Sequence, residues 1–220
     1  FLEKNKQAQL PGSYKIATTI GLIEYEKDGQ KKYMVVDAGQ TVNWPVIEKG
    51  INKIAGGMQN VTHLLLTHLH KDHIQNISQF NGKLMFLANK TTLLGEYEYG
   101  SQEIYPDGQI EIPEIQYEIV NDAHSHDDTV YIVDSANEGK VVFIGDLIYM
   151  RLGKMPVKQL IKMEQRASVD PVKKYLYIKE FIKKHPNIAK VYCGHDDENF
   201  TREDLTKYIE ELENDQTWKN

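Results

Sequence analysis

The chain has little cysteine, no long apolar run and no excess of positive charge. Its one cysteine among 220 residues, Cys193, excludes an intrachain disulfide framework and a cysteine-rich zinc module. No segment approaches the run of about eighteen apolar residues that indicates a transmembrane helix. The formal charge of −6 argues against nucleic-acid binding driven by overall charge. The length suits one domain, so we expect a single domain over residues 1–220, frayed at 1–13 and 214–220.

Histidine, by contrast, is concentrated in residues 67–73, whose sequence is THLHKDH. The segment directly follows the apolar run 64–66, which predicts a strand. The i, i+2 spacing of His68 and His70 lets both imidazoles point the same way. Asp72 and His73 come where the chain would turn into a helix. One loop can therefore serve two adjacent metal positions, but zinc needs about four ligands per ion, so further ligands must follow.

Further candidate ligands stand at the ends of other apolar strands. Asp146 follows the run 141–144, and His195 follows 191–193. His124 and His126 both precede the strand predicted at 129–133, and both are candidates. Asp37 ends an earlier strand. The remaining histidines have structural explanations: His63 is expected to pack inside a strand, and His185 to complement a helix C-terminus.

Alternation of strands and helices predicts an α/β (α+β) chain. Helical spacing appears at 46–54, 172–182 and 202–213, and strand patterns occur in both halves. Residues 104–120 are typical of two or three short strands that turn at 106–108, whereas 89–101 are ambiguous. We expect the walls of a substrate pocket to come from loops at 39–45, 89–101 and 147–170.

These motifs, taken in order, resemble the metallo-β-lactamase superfamily. Its signature H-x-H-x-D-H stands here as His68, His70, Asp72 and His73, and the resemblance extends from Ile20 to about His195. It implies a four-layer αββα sandwich with a two-metal site along one edge. It also implies a first metal held by His68, His70 and His124, and a second held by Asp72, His73 and His195. In the same pattern Asp146 would bridge both metals, and Asp37 would be a carboxylate that either orients a ligand or has a structural role. The H-[ST]-x-D pattern favours His124 over His126.

The resemblance implies a hydrolase with two divalent metal ions, zinc first and Mn or Fe as alternatives. Such a site activates water for attack on an ester, lactone or thioester carbonyl, with Asp72 as a proton acceptor as well as a ligand. Asp146 stands where the zinc β-lactamases that destroy antibiotics have Cys, which disfavours that activity. Asp146 to Tyr149 and the Gly194-His195-Asp196 run resemble the N-acyl homoserine lactonases. There the Tyr149 phenol could stabilise an oxyanion, or the side chain could simply pack beside Met150.

Two other functions are kept as alternatives. Residues 151–190 carry eleven Lys or Arg and three acids, a local balance of +8. With Tyr175 and Tyr177 stacking on bases, this segment could serve a small phosphodiesterase or nuclease, like the short animal proteins of this fold linked to RNA processing. The second alternative is a non-catalytic metal-binding scaffold. A small-molecule substrate is preferred, and the oligomeric state is not specified by the sequence. We expect a cytoplasmic location, with export as the alternative because the sequence begins with Phe1 and not Met.

Overall fold

The computed structural model describes residues 17–87, 90–93, 105–106, 114–196 and 198–214, with only the backbone at 90–93 and 105–106. It divides into two compact units, Phe1–Glu111 and Ile112–Asn220. The expectations for residues 1–13 and 215–220, for 89 and 94–101, and for 104 and the turn region 107–113 lie outside the described residues.

Unit 1 contains, among its described residues, a six-stranded sheet in the order β1-β2-β3-β4-β5-β6. The strands are β1 (Gly21–Lys27), β2 (Gln30–Val36), β3 (Val61–Leu65), β4 (Leu84–Leu87), β5 (Lys90–Leu93) and β6 (Tyr105–Pro106). Strands β2, β3 and β4 are parallel, and the other pairs are antiparallel. The helices are α1 (Trp44–Ala55) and the short α2 (Lys71–Ile74), with 3-10 turns at Thr41–Asn43, Met58–Asn60 and Ile77–Phe80.

The sequence of unit 1 explains these elements. The continuous apolar runs at the ends of β2 and β3 are fully buried, as expected for central parallel strands. Helix α1 has proline in its first turn and buries Ile47, Ile51 and Ala55 along one face. It ends at Gly56, whose φ of 71° is the left-handed conformation that favours glycine. Helix α1 and the strand before the histidine-rich loop agree with the sequence prediction.

Unit 2 contains, within the residues described, a four-stranded sheet in the order β10-β9-β8-β7. Its strands are β7 (Ile115–Val120), β8 (Asp128–Ser135), β9 (Gly139–Gly145) and β10 (Ile188–Cys193). Strands β9 and β10 are parallel, and the other two pairs are antiparallel. The helices are α3 (Val157–Ala167), α4 (Pro171–Lys184) and α5 (Arg202–Asn214). The apolar faces of these helices share one buried cluster with the sheet, including Ile132, Val142, Leu160, Ile178 and Leu205.

Helix α3 corrects the expectation of a loop over 147–170. Its buried face consists of Leu160, Ile161 and Glu164. An acidic residue stands where an apolar one would complete the stripe, so the helical period was hidden in the sequence. Elsewhere the α+β class, with two mixed sheets and helices, is confirmed. Among the described residues, no helix has the length and apolarity required to cross a membrane.

Candidate metal centre

Parallel pairing brings Asp37 and the histidine-rich loop to one edge of the unit 1 sheet. Strands β2 and β3 are adjacent and parallel, so their carboxyl ends lie side by side. Asp37 follows β2 directly, and its backbone N–H donates to the carbonyl of Leu65 at 2.8 Å. The loop at 67–73 leaves the end of β3 at the same edge.

Asp37 orients this loop with both carboxylate oxygens. It is buried and has a φ of 61°, an unusual backbone conformation for a residue other than glycine. Its Oδ1 accepts the Thr67 N–H, and its Oδ2 accepts the Thr67 hydroxyl, both at 2.8 Å. The same Oδ2 lies 2.8 Å from Nδ1 of His73. This contact directs Nε2 of His73 away from Asp37. Whether Asp37 orients a metal ligand stays a prediction.

Four donor side chains of the loop lie close together. The ring of His68 is 4.6 Å from that of His70 and 4.1 Å from that of His73, between centroids. Asp72 Oδ2 is 3.8 Å from His73 Nε2. His68 and His73 are buried, Asp72 is half-buried and His70 is exposed. Unit 1 thus offers two neighbouring donor pairs, His68 with His70 and Asp72 with His73, and the ligand atoms in each pair lie within 4.8 Å of one another.

Strand pairing also gathers three donors at one edge of the unit 2 sheet. Asp146 follows β9 and His195 follows its parallel neighbour β10. His124 precedes β8, which is antiparallel to β9 and therefore starts where β9 ends. Asp146 Oδ2 lies 3.4 Å from Nε2 of His124 and 3.2 Å from Nε2 of His195. All three side chains are buried.

Gly194 permits the close approach of β10 to Asp146. Its N–H donates to the carbonyls of Gly145 at 2.9 Å and Ile148 at 3.1 Å. A Cβ atom at this position would overlap the Asp146 carboxylate. The glycine is therefore a steric requirement of the donor cluster.

The two candidates in the loop before β8 have opposite environments. The His126 side chain is 75% exposed and lies 2.6 Å from Asp122, whose hydrogen bond raises the His126 pKa. His124 is buried beside Asp146. The loop is fixed by Asp128, which accepts the Ser125 N–H and hydroxyl at 2.8 Å. Burial raises the pKa of Asp128 to about 6, against the lowering effect of the hydrogen bonds from Ser125. The geometry favours His124 as the donor.

Comparison with known proteins identifies the architecture. Residues 15–83 match the model of the metallo-beta-lactamase superfamily. No curated protein matches the chain. One similar solved structure is that of a Thermotoga maritima protein assigned to the metallo-beta-lactamases. The two structures have a TM-score of 0.58 and 16% sequence identity, and the match covers 88% of this chain and 93% of that one. This chain has the metallo-β-lactamase fold. The resemblance predicted from the histidine motif is confirmed.

Lactonases with the metallo-β-lactamase fold are also among the similar solved structures. A quorum-quenching N-acyl homoserine lactone lactonase has a TM-score of 0.55 and 21% identity, covering 81% of this chain and 79% of its own. A dizinc quorum-quenching lactonase in complex with its product has a TM-score of 0.53 and 14% identity, covering 81% and 72%. Identities this low compare folds only. The superfamily match and the His/Asp groups nonetheless support the sequence prediction of a metal-dependent hydrolase.

Tyr149 occupies the loop after β9 in this fold. It is half-buried, and its ring centroid lies 4.2 Å from that of His195. Its backbone N–H donates to Glu164 Oε1 at 3.2 Å, and its carbonyl accepts the His195 N–H at 2.9 Å. The residue thus packs against a candidate ligand as well as standing next to buried Met150. The role of its phenol stays a prediction.

The sequence prediction missed two buried acids near these donors. Asp196 accepts hydrogen bonds from the backbone N–H of Arg151 at 2.9 Å and from its Nε at 3.2 Å, which ties the loop after β9 to the loop after β10. Glu164 accepts the hydrogen bond from the backbone N–H of Tyr149. A charged residue in the apolar stripe of 157–167 marks Glu164 in the sequence, whereas Asp196 was noticed only as part of the Gly194-His195-Asp196 run.

The basic segment at 151–190 is largely engaged in ion pairs. Seven of its basic residues pair with carboxylates in the described structure: Arg151, Lys154, Lys174, Lys179, Lys183, Lys184 and Lys190. The hydroxyl of Tyr175 donates to Glu213, and that of Tyr177 donates to Glu118 at 2.9 Å. These contacts do not support the interpretation that the two tyrosines stack on bases.

Three further residues, His63, His185 and Cys193, lie in structural settings away from the candidate donors. His63 is half-buried in β3, with its ring centroid 6.5 Å from that of Tyr25. The His185 backbone N–H caps α4, and its Nε2 lies 2.9 Å from Glu118. Cys193 is buried in the core of unit 2, and burial raises the pKa of its thiol. None of the three extends the candidate donor set.

Proposed function

We propose that this chain is a hydrolase with two divalent metal ions, zinc first, that opens an ester, lactone or thioester bond of a small molecule. The observation that carries the proposal is the position of Asp146. One oxygen of this buried carboxylate lies 3.4 Å and 3.2 Å from the Nε2 atoms of two separate histidines. A carboxylate placed between two imidazoles is the arrangement expected of a bridging ligand.

The donors form two groups in this proposal. His68, His70, His124 and Asp146 would hold one ion, and Asp72, His73, Asp146 and His195 the other. The donor atoms are imidazole nitrogens and carboxylate oxygens, which suit zinc and also Mn or Fe. Neither group includes a thiolate, so Asp146 sets this chain apart from the zinc β-lactamases that have Cys at the corresponding position.

The protein's own residues would bind, orient and exchange protons. When bound, a pair of divalent ions lowers the pKa of water and polarises a carbonyl oxygen. Asp37 holds the His73 ring through Nδ1, so that the other nitrogen is presented as a ligand. Asp72 is half-buried and could take a proton from the attacking water. The Tyr149 phenol, next to His195, could donate to the oxygen that becomes negative in the transition state.

A lactone is the first substrate class to test. Support comes from the Asp146–Tyr149 spacing together with the lactonases among the similar structures. Because Asp146 stands where the antibiotic-destroying zinc β-lactamases have Cys, β-lactam antibiotics are disfavoured as substrates. The ion pairs of the 151–190 segment leave the phosphodiester alternative without a specific observation in its favour.

An activity panel with controlled metal content tests this function. The chain would be freed of metal with a chelator, reloaded with Zn or Mn, and assayed on a lactone, an ester, a thioester and a phosphodiester. We expect activity on a carbonyl substrate that is lost with the chelator and restored by the metal. Asp146→Asn should abolish it. Tyr149→Phe should slow lactone opening by about 100-fold or more if the phenol serves the oxyanion.

Other results would point to the alternatives. Turnover of the phosphodiester alone, with substrate binding that weakens steeply as salt rises, would replace the proposal with a nuclease-like function. Two bound metals without turnover of any of the four bonds would favour the scaffold. Failure to bind metal at all would overturn the proposal.

A further inference from the structure

A buried carboxylate lies behind the loop that carries Asp146 and Tyr149. Glu164 of α3 is 6% exposed, and its Oε1 accepts the Tyr149 backbone N–H at 3.2 Å. Both of its oxygens lie 2.6 Å from the hydroxyl of Tyr208 on α5. Lys174 Nζ of α4 is 3.7 Å from Oε2. Glu164 therefore connects all three helices of unit 2 described in the structure to the loop after β9.

The opposite side of the Tyr149 backbone faces His195. The Tyr149 carbonyl accepts the His195 N–H at 2.9 Å, and the two rings lie 4.2 Å apart between centroids. The peptide groups on either side of Tyr149 are thus fixed in two directions, by Glu164 through the N–H and by His195 through the carbonyl. A shift of Tyr149 would move both its own phenol and the imidazole against which it packs.

Stability alone does not account for this arrangement. A buried ion pair is often no more stabilising than apolar side chains of similar volume, because both charges lose their hydration. Lys174 is 3% exposed and Tyr208 is fully buried, so the whole cluster is removed from solvent. Burial raises the pKa of Tyr208 well above its usual range, which keeps its phenol a donor to Glu164. An apolar side chain at position 164 could not accept the hydrogen bond from the Tyr149 N–H.

We infer that Glu164 is a positioning residue: by holding the Tyr149 backbone, it sets the placement of the His195 imidazole and the Tyr149 phenol. This inference rests on the proposed function, in which His195 is a ligand and Tyr149 contacts the substrate. Glu164 itself belongs to neither candidate donor group. Its contribution is transmitted through one backbone hydrogen bond.

Two variants separate the reach of the side chain from its charge. Glu164→Asp keeps the carboxylate near Lys174 but withdraws it by one methylene from Tyr149. Glu164→Gln combined with Lys174→Met keeps a side-chain oxygen at the original reach and leaves no unbalanced buried charge. Tyr208→Phe is the matched control, since it removes a hydrogen bond to the same carboxylate but leaves the Glu164–Tyr149 contact in place.

The readout is the visible spectrum and affinity of cobalt(II), which reports ligand geometry independently of turnover. We expect Glu164→Asp to change the spectrum and to weaken one of two cobalt sites by about 10- to 100-fold, the usual effect of losing a residue that orients a ligand. The double variant should resemble the wild type in both respects. Tyr208→Phe should lower the melting temperature with little change in the spectrum.

The inference would be overturned if the two variants behaved in the opposite way. If Glu164→Asp binds cobalt as the wild type does while the double variant does not, the charge and not the reach matters. If both bind as the wild type and only melt at lower temperature, Glu164 is structural. A wild-type chain that binds no cobalt would instead refute the proposed function itself. Should Glu164→Asp fail to fold, Glu164→Leu combined with Lys174→Met takes its place: a wild-type cobalt spectrum in that variant overturns the inference, and a changed spectrum in the folded protein supports it.

Discussion

Asp37 Oδ2 lies 2.8 Å from Nδ1 of His73, although the two residues are 36 positions apart in the chain and both are buried. Asp37 directly follows β2, and His73 lies in α2, which the loop from the end of the neighbouring parallel strand β3 leads into; the contact forms because the two strands are adjacent. Asp37 adopts a left-handed backbone conformation to make it. Strain of this kind persists where the surrounding structure demands it and often marks a functional position.

Asp37→Asn should therefore weaken metal binding without unfolding the chain. Asparagine has nearly the same shape and tolerates positive φ, but it lacks the negative charge that complements the His73 ring. We expect zinc affinity to fall by about 10- to 100-fold in a competition with a chromogenic chelator. Asp28→Asn is a matched control, because Asp28 also has positive φ but lies in the exposed turn between β1 and β2. Equal zinc affinity in both variants would show that Asp37 does not orient a ligand.

His124 and His126 offer a paired test of the donor set. They lie two residues apart, but His124 is buried beside Asp146 whereas His126 is exposed beside Asp122. Removing the buried imidazole by His124→Ala should cost about one of two bound zinc equivalents, because zinc needs about four ligands. His126→Ala should keep the wild-type stoichiometry. Elemental analysis of the dialysed proteins distinguishes the two results, and loss of zinc from His126→Ala alone would reverse the assignment.

The candidate donors could be recognised in the sequence because they lie next to strongly apolar strands. A strand end is a local feature of the chain, and the candidates at 67–73 form one continuous motif. Which strands are neighbours, however, is a property of the sheet. The contact of Asp37 with His73 depends on β2 lying beside β3, and that of Asp146 with His195 on β9 lying beside β10.

Residues that act through the backbone were harder to recognise. Glu164 fell within a segment that was expected to be a loop, and its contacts with Tyr149 and Tyr208 join segments that are distant in the sequence. A loop was wrongly expected at 147–170 for a related reason: the acidic Glu164 interrupts the apolar stripe by which α3 could have been recognised. Likewise the basic residues at 151–190 suggested an anion-facing surface until their acidic partners, contributed by distant segments, were located.

Gly194→Ala should disrupt the donor cluster through steric overlap. A Cβ atom at Gly194 would collide with the Asp146 carboxylate, so the ligand or the end of β10 must shift. We expect loss of zinc binding that exceeds any loss of stability, measured by zinc titration and by urea unfolding. Gly82→Ala is the control: its Cβ would meet nothing within 4 Å, but its φ of +74° is costly for alanine. That variant should lose about 1 kcal/mol of stability and keep its zinc. Normal zinc binding by Gly194→Ala would mean that the close approach is not needed.

Glu118 makes the stability of unit 2 depend on pH in the acid range. This β7 residue accepts hydrogen bonds from Lys184 Nζ at 2.6 Å and from the Tyr177 hydroxyl at 2.9 Å, and it lies 2.9 Å from His185 Nε2. Burial acts to raise the pKa of Glu118, but the hydrogen bonds from Lys184, His185 and Tyr177 outweigh it and leave the pKa lowered.

A lowered folded-state pKa means that the ionised form of Glu118 stabilises the folded chain above the unfolded-state pKa of about 4.5, and that this contribution is lost as the pH falls through the folded-state value. Glu118→Gln should therefore be less stable than the wild type by about 1 kcal/mol near neutral pH, and the difference should shrink in acid. Urea unfolding of both proteins at pH 7, 5 and 3.5, without added metal, measures it. Glu180→Gln, which removes an exposed acid paired with Lys183 on α4, should show almost no difference at any of these pH values. A stability difference for Glu118→Gln that stays constant from neutral to acid pH would show that the ionised carboxylate is not what joins β7 to α4.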